Sequence, residues 1–203
     1  LRREFGGCAG NIAYALKLLG GEPLPMGAIG SDGGDYLQRF DKLKISTEFV
    51  LRVDDTYTAQ AMIMTDQDNN QITAFHPGAM MQAHNVKVQA RQDIKLGMIS
   101  PDGRDAMLQH AEQFQHAGIP FVFDPGQGLP MFDGWELANF IEQATWVTVN
   151  DYEGKMLSER TGWSSAEISR RVRGLVVTLG GDGCEVWVNG DVTLVPPEQP
   201  SAV

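Results

Sequence analysis

From residue 84 onward the chain alternates short apolar runs with segments of helical periodicity, and this pattern restricts its fold more than any other feature. Leu96 to Ile99 reads as a strand, and Asp105 to Ala117 spaces Met107, Leu108, Ala111 and Phe114 along one helix face. Gly118 ends that helix and Ile119 to Phe123 is the next strand. The alternation continues with a helix over 136–144, a strand at Trp146–Val149 and a helix at Glu153–Arg160. The capping box Ser164-x-x-Glu167 then opens a helix expected to run to Arg173, followed by a strand at Leu175–Leu179. Beyond Gly183, strands at Glu185–Val188 and Asp191–Val195 pair around an Asn189-Gly190 turn. Apolar strands alternating with helices predict an α/β fold, its mostly parallel sheet covered by helices on both faces.

The first eighty residues read differently. Asn11 to Leu19 forms an amphipathic helix with Ile12, Ala15, Leu16 and Leu19 on its apolar face, ended by Gly20-Gly21. A strand at Leu24–Ile29 and a helix at Asp35–Leu43 follow. Thr58–Thr65 and Gln71–Phe75 are then two strands around Asp66-Gln67-Asp68-Asn69-Asn70, a hairpin with no helix beside it. In an α/β chain such an element is an edge hairpin or a lid over a site.

Composition removes several classes of function. At 203 residues and a net charge of −10 the chain fits one large domain or two small ones. Its two cysteines, Cys8 and Cys184, argue against a disulfide scaffold or a cysteine-rich zinc module. A pI near 4.8 argues against nucleic-acid binding, which needs a basic face. No apolar run approaches the roughly 18 residues of a membrane span, and no signal peptide is visible, so a cytoplasmic location is expected. The four histidines lack metal-ligand spacing, and His110 and His116 are expected on a helix surface. The chain starts without Met and ends without a closing element, which reads as a piece of a longer protein.

Ligands of open α/β sheets bind beyond the carboxyl ends of the strands. Four successive strand ends here carry polar, loop-forming residues: Ser100-Pro101-Asp102-Gly103, Asp124-Pro125-Gly126-Gln127-Gly128, Asn150-Asp151-Tyr152-Glu153 and Thr178-Leu179-Gly180-Gly181-Asp182-Gly183. Each alone reads more readily as a turn; together they mark one rim as the candidate site. Gly6-Gly7-Cys8-Ala9-Gly10-Asn11 leads into the first helix, where glycines permit close backbone approach and the helix start offers free N–H groups. The Asn11 amide suits vicinal hydroxyls; the alternative is a glycine turn with Asn11 capping the helix. No Gly-Lys-Ser/Thr occurs, which excludes a P-loop, and no Gly-x-Gly-x-x-Gly follows a first strand, which weighs against a dinucleotide-dependent oxidoreductase.

Gly6-Gly7-x-x-Gly10-Asn11-x-Ala13, with Gly20 and Gly30 following, resembles the first signature of the ribokinase-like (PfkB) carbohydrate and nucleoside kinases. Asn150-x-x-Glu153 resembles that family's metal- and phosphate-organising motif, and Val177-Thr178-Leu179-Gly180-x-x-Gly183 its nucleotide-binding strand and turn. The order and spacing match across essentially the whole chain. Phe5 to Ala13, Gln71-Ile72-x-x-Phe75-His76-Pro77-Gly78-Ala79-Met80 and Asn150 to Glu153 are most similar to bacterial adenosine kinases within the family.

The resemblance implies a three-layer ribokinase-like fold in a single kinase domain over 1–203, with residues 1–5 and 55–76 as β-lid elements. It implies ATP and Mg²⁺ as cofactors, a nucleoside or sugar as acceptor, and a homodimer paired through the lids. Gly6, Gly7 and Asn11 would hold the acceptor's hydroxyls. Phe75 would stack on a purine or be a core aromatic of the hairpin, and Gln127 would read the base edge. Asn150, Thr178, Gly180 and Gly183 would line the nucleotide, and Glu153 would organise the metal. The family's catalytic Asp, in a Gly-Ala-Gly-Asp-type motif expected beyond Val203, and its first strand are absent from these residues. A non-catalytic nucleoside- or sugar-binding member, or a ribokinase- or fructokinase-type sugar kinase, are the alternatives.

Overall fold

A computed structural model describes residues 2–68 and 70–198. They form two compact units, one of residues 2–87 with 102–106 and one of 88–101 with 107–198.

The first unit opens on helix α1 (Cys8–Leu18), three residues earlier than the periodicity suggests, because Gly7 at φ 92° makes the break and Cys8 already turns helically. Only Ala13 of α1 is buried, packed with Phe40 and Ile45; Leu16 and Leu19 of the expected apolar face are exposed. Strand β1 covers Gly27–Gly30, shorter than expected because Pro25 lacks a ladder donor. Helix α2 (Gly34–Lys42) connects it to β2 (Val50–Val53), which pairs with β1 in parallel from Gly27↔Val50 to Gly30↔Val53. That β–α–β unit was not visible in the sequence, where Val50–Val53 lies among charged residues. Strands β3 (Gln60–Thr65) and β4 (Gln71–His76) form the expected antiparallel hairpin, with every strand residue exposed. A 3-10 helix at Gly78–Asn85 packs on β1 through the fully buried Ala79 and Ala83.

The second unit holds a six-stranded sheet. In chain order its elements are β5 (Gly97–Ile99), α3 (Arg104–His116, whose first turn belongs to the other unit), β6 (Phe121–Phe123), α4 (Gly134–Gln143), β7 (Trp146–Asn150), α5 (Asp151–Thr161), α6 (Ser165–Ser169), β8 (Gly174–Thr178), β9 (Cys184–Val188) and β10 (Asp191–Val195). The strand order is β10-β9-β8-β7-β6-β5, with β5 to β8 parallel and β9 and β10 antiparallel. Asn189 and Gly190 both take positive φ, the turn geometry that matches the twist of a two-residue hairpin.

Alternate strand residues, Phe121, Phe123, Val147, Val149, Leu175 and Val177, enter one core with Leu137, Phe140 and Ile141 of α4 and Leu157 of α5. Phe123 stacks on Phe140 at 4.4 Å between ring centres. The opposite sheet face is only half-buried, and Met98 of β5 is exposed, so the two faces differ more than the continuous apolar runs imply. Helix α6 stops at Ser169, not Arg173, because the Arg173 N–H donates to the Thr145 carbonyl and draws the chain toward the sheet. His110 is buried, contrary to the surface position expected for it, whereas His116 is exposed and bonds the Glu112 carbonyl.

Candidate functional site at the strand ends

Parallel register carries the polar strand ends to one edge of the sheet: Ile99 pairs with Phe123, Phe123 with Val147, and Asn150 with Thr178. Asp124 therefore follows β6 beside the start of α5, where Asn150 and Glu153 form a reciprocal capping box. The Glu153 N–H donates to Asn150 Oδ1 (2.8 Å), and the Asn150 N–H donates to Glu153 Oε2 (2.9 Å). This arrangement holds both side chains at the helix start, where the free N–H groups and the dipole favour anions. It fixes Glu153 while committing one of its carboxylate oxygens to the backbone.

Asp124 opens one of the polar strand ends, but sequence reasoning gave it no role of its own. Burial pushes its carboxyl up to about 6, and the nearby Glu153 charge pushes in the same direction. Two carboxylates within electrostatic reach of one another, Asp124 and Glu153, are a hard-oxygen donor set of the kind Mg²⁺ takes together with its own waters. No three His, Cys, Asp or Glu side chains cluster in metal-binding geometry among the described residues, so these oxygens fit a largely hydrated ion better than a closed protein cage. An acidic residue straight after a strand, level with the Asn-x-x-Glu box, is the signal that would have found Asp124.

The glycine turn after β8 completes this rim. Thr178 lies in register with Asn150, and its hydroxyl reaches the Val149 carbonyl at 3.5 Å. Gly180 starts a single 3-10 turn in which the Asp182 N–H donates to the Leu179 carbonyl at 3.1 Å, and across its base the Leu179 N–H donates to the Gly183 carbonyl at 2.8 Å. Gly183 sits at φ 94°, and a Cβ there would meet the Val195 carbonyl oxygen at 2.1 Å, so the turn tolerates no side chain at this position. Gln127 is exposed on the 3-10 helix Gly126–Met131 that follows Asp124.

The first unit holds the remaining expected residues. Gly7 is the N-cap of α1 and supplies no side-chain cap; Asn11 is the fourth helical residue, exposed, its N–H bonded to the Gly7 carbonyl at 3.0 Å. The reading of Asn11 as a helix cap is thereby excluded. Tyr36 of α2 donates its hydroxyl to the Gly6 carbonyl at 2.6 Å and fixes the glycine segment from the side. Phe75 is 55% exposed, opposite Ala61 in the hairpin, which excludes a core role. Asp102, next after Pro101, is also pushed up to about 6 by burial, its own Gly103 N–H opposing the shift.

The whole chain, residues 1–203, matches the pfkB family carbohydrate kinases. The chain belongs to that family. A Burkholderia thailandensis nucleoside kinase, solved in complex with inosine, is similar over 100% of this chain and 67% of its own, with 53% identity and a TM-score of 0.95. The nucleoside kinase of Methanocaldococcus jannaschii is 26% identical over 96% of this chain, and its structure superposes with a TM-score of 0.90. Mouse ribokinase is 26% identical over 90% of the chain. This chain spans 65% of the M. jannaschii protein and 60% of the mouse one. The pfkB chain thus has the ribokinase-like α/β fold expected of it, with its mostly parallel sheet.

Proposed function

We propose that the intact protein is an ATP-dependent kinase that transfers the γ-phosphoryl group to a hydroxymethyl group of a nucleoside. Adenosine and inosine are the first acceptors to test. The observation that carries the acceptor class is the 53% identity, across the whole chain, to a nucleoside kinase solved with inosine. The Asp124–Glu153 pair on the sheet rim supports the phosphoryl-transfer half of the reading. Residues of both units are assigned to one kinase domain, with 55–76 as its β-lid; residues 2–5, expected as a further β-lid element, form no strand.

Phosphoryl transfer is chiefly positioning and charge neutralisation. In this reading Gly6, Gly7 and Asn11 hold the ribose hydroxyls, the exposed Phe75 ring stacks on the base, and Gln127 bonds the base edge. Thr178, Gly180 and Gly183 line the nucleotide, and Asn150 holds Glu153 in place. Asp124 and Glu153 would hold Mg²⁺ through its waters; bound there, the ion neutralises charge on the phosphates. The acceptor hydroxyl forms the new P–O bond as the bond to ADP breaks, and its proton passes to the Asp expected of the family beyond these residues. The hairpin excludes water from the transfer. Among the described residues no helix is long and apolar enough to cross a membrane, and the reading places the enzyme in the cytoplasm.

The test is an acceptor panel with the full-length protein, ATP and Mg²⁺. Adenosine or inosine is expected to exceed ribose and fructose at least tenfold in kcat/KM. A preference for a free sugar would make the protein a sugar kinase, and tight nucleoside binding without turnover would make it a non-catalytic member.

The same hairpin supports a homodimer. Met62, Met64 and Ile72 lie on one of its faces and Ile63 and Phe75 on the other, and all five are exposed. A ribbon apolar on both sides can cover an acceptor with one face and a second copy with the other. The full-length protein is expected to sediment as a dimer at micromolar concentration, and Met62→Lys with Met64→Lys to sediment as a monomer. A monomeric parent removes this proposal.

A further inference from the structure

The hairpin exposes all of its strand residues, yet its roots are held tightly by one short loop after β1. The Thr58 N–H donates to Asp32 Oδ1 at 2.7 Å, and Gln60 Nε2 donates to Asp32 Oδ2 at 3.2 Å. In return the Gly30 N–H donates to Thr58 Oγ1 at 3.0 Å, and the Ser31 N–H to the Thr56 carbonyl at 2.9 Å. The exit from the hairpin is tied to residues 56–58 as well, since the Ala79 N–H of the following 3-10 helix donates to the Tyr57 carbonyl at 2.8 Å. Residues 56–58 thus lie between the end of β1 on one side and the start of the 3-10 helix on the other.

Backbone meets backbone here without room for side chains. A Cβ on Gly30 would meet the Tyr57 carbonyl carbon at 2.2 Å and the Thr56 oxygen at 2.4 Å. One on Gly78, at φ 47°, would meet the Tyr57 oxygen at 2.1 Å. Gly30, the last glycine of the N-terminal signature, is thereby explained: it lets the hairpin root press onto β1. The Thr58 N–H is also the main reason the Asp32 carboxyl lies below the ordinary carboxylate range, as expected for an ionised acceptor serving two donors.

We propose that Asp32 is a positioning residue: by bridging Thr58 and Gln60 it clamps the root of the β3–β4 hairpin and sets the pose in which the hairpin receives the acceptor. The clamp is a property of the first unit alone; its consequence for catalysis rests on the nucleoside-kinase reading above. Within its own chain the ribbon buries none of its strand residues and gains little from packing along its length, so there its direction is set at its base. Asp32 touches neither acceptor nor nucleotide in this scheme. Its loss therefore acts on acceptor capture and leaves the rim of the second unit intact.

The test compares Asp32→Ala, Asp32→Asn and Thr58→Val in the full-length protein, with hydrogen exchange at residues 56–79 as the structural readout and inosine and ATP kinetics as the functional one. Asp32→Ala is expected to speed exchange of the hairpin amides at least fivefold while β7 and β8 amides keep their protection. The inosine KM is expected to rise five- to tenfold, with the ATP KM and saturated kcat within twofold of the parent. Asp32→Asn keeps an oxygen for the Thr58 N–H and is expected to restore both readouts to within twofold. Thr58→Val, which removes the acceptor of the Gly30 N–H without changing shape, moves both in the same direction and serves if Asp32→Ala does not fold. Unchanged hairpin exchange in the variants overturns the clamp. Faster exchange with an unchanged inosine KM, or an Asp32→Asn protein as impaired as Asp32→Ala, overturns the positioning role. If the parent phosphorylates no nucleoside, the functional reading fails by itself, and the exchange data still decide the clamp.

Discussion

Replacing Glu153 by Gln in the full-length enzyme is expected to lower kcat ten- to hundredfold, about 1.4 to 2.7 kcal/mol of barrier. The Mg²⁺ concentration for half-maximal rate is expected to rise with it. Gln is the informative substitute because a capping box accepts Glu or Gln, so the bond from the Asn150 N–H can survive the change. The stability cost is confined to the lost interaction of a charge with the helix start, about 0.3 to 1 kcal/mol. Activity and stability thus separate. The pH profile gives a second reading: Asp124 is held up to about 6 by burial and then by the Glu153 charge. Removing that charge lets Asp124 ionise at lower pH, so an acid limb governed by Asp124 moves to lower pH in the variant. A small drop in melting temperature with kcat, the Mg²⁺ requirement and the acid limb all unchanged would reduce Glu153 to a helix-start residue.

Asn11→Ala is expected to raise the nucleoside KM ten- to hundredfold, as removing one partner from a buried hydrogen-bonded pair costs roughly 1–3 kcal/mol. The ATP KM is expected to stay within twofold. Position 11 is exposed, inside α1 and not its cap, so Ala, the better helix former, should leave the melting temperature unchanged or slightly higher. An unchanged acceptor KM would show that the exposed amide contacts only solvent. The two substitutions probe different units: Asn11 the acceptor's hydroxyls and Glu153 the metal and phosphates.

Most secondary structure was legible because its causes lie within a few residues. Helices α3, α4 and α5 follow from apolar spacing at three and four residues, and the capping boxes at Asn150 and Ser164 require partners only three residues away. The turn between β9 and β10 follows from Asn189-Gly190. The errors fall where a distant group overrides the local pattern. Helix α6 yields to the Arg173–Thr145 bond. Strand β2 is only four residues long and is interrupted by Arg52; its parallel pairing with β1, not the length of its apolar run, makes it a strand. His110 is the exception: it lies three residues after Met107 and four before Phe114, on the buried side of α3, so its burial follows from the helical spacing itself.

The candidate site divides in the same way. Sequence alone determined the order of the strands along the chain, the polar residues at their carboxyl ends and the glycine and Asn-x-x-Glu motifs, because periodicity and motif spacing are local properties of the chain. Only the tertiary structure decided that Asp124 lies within reach of the Glu153 charge, that Phe75 is exposed and not a core aromatic, and that Asp32 bonds the root of the hairpin. Each of these depends on groups brought together from well-separated parts of the chain, as when Asp32 meets Thr58 across 26 residues. Strand register and burial bring such groups together, and both are set by the packing of the whole unit, not by the residues on either side.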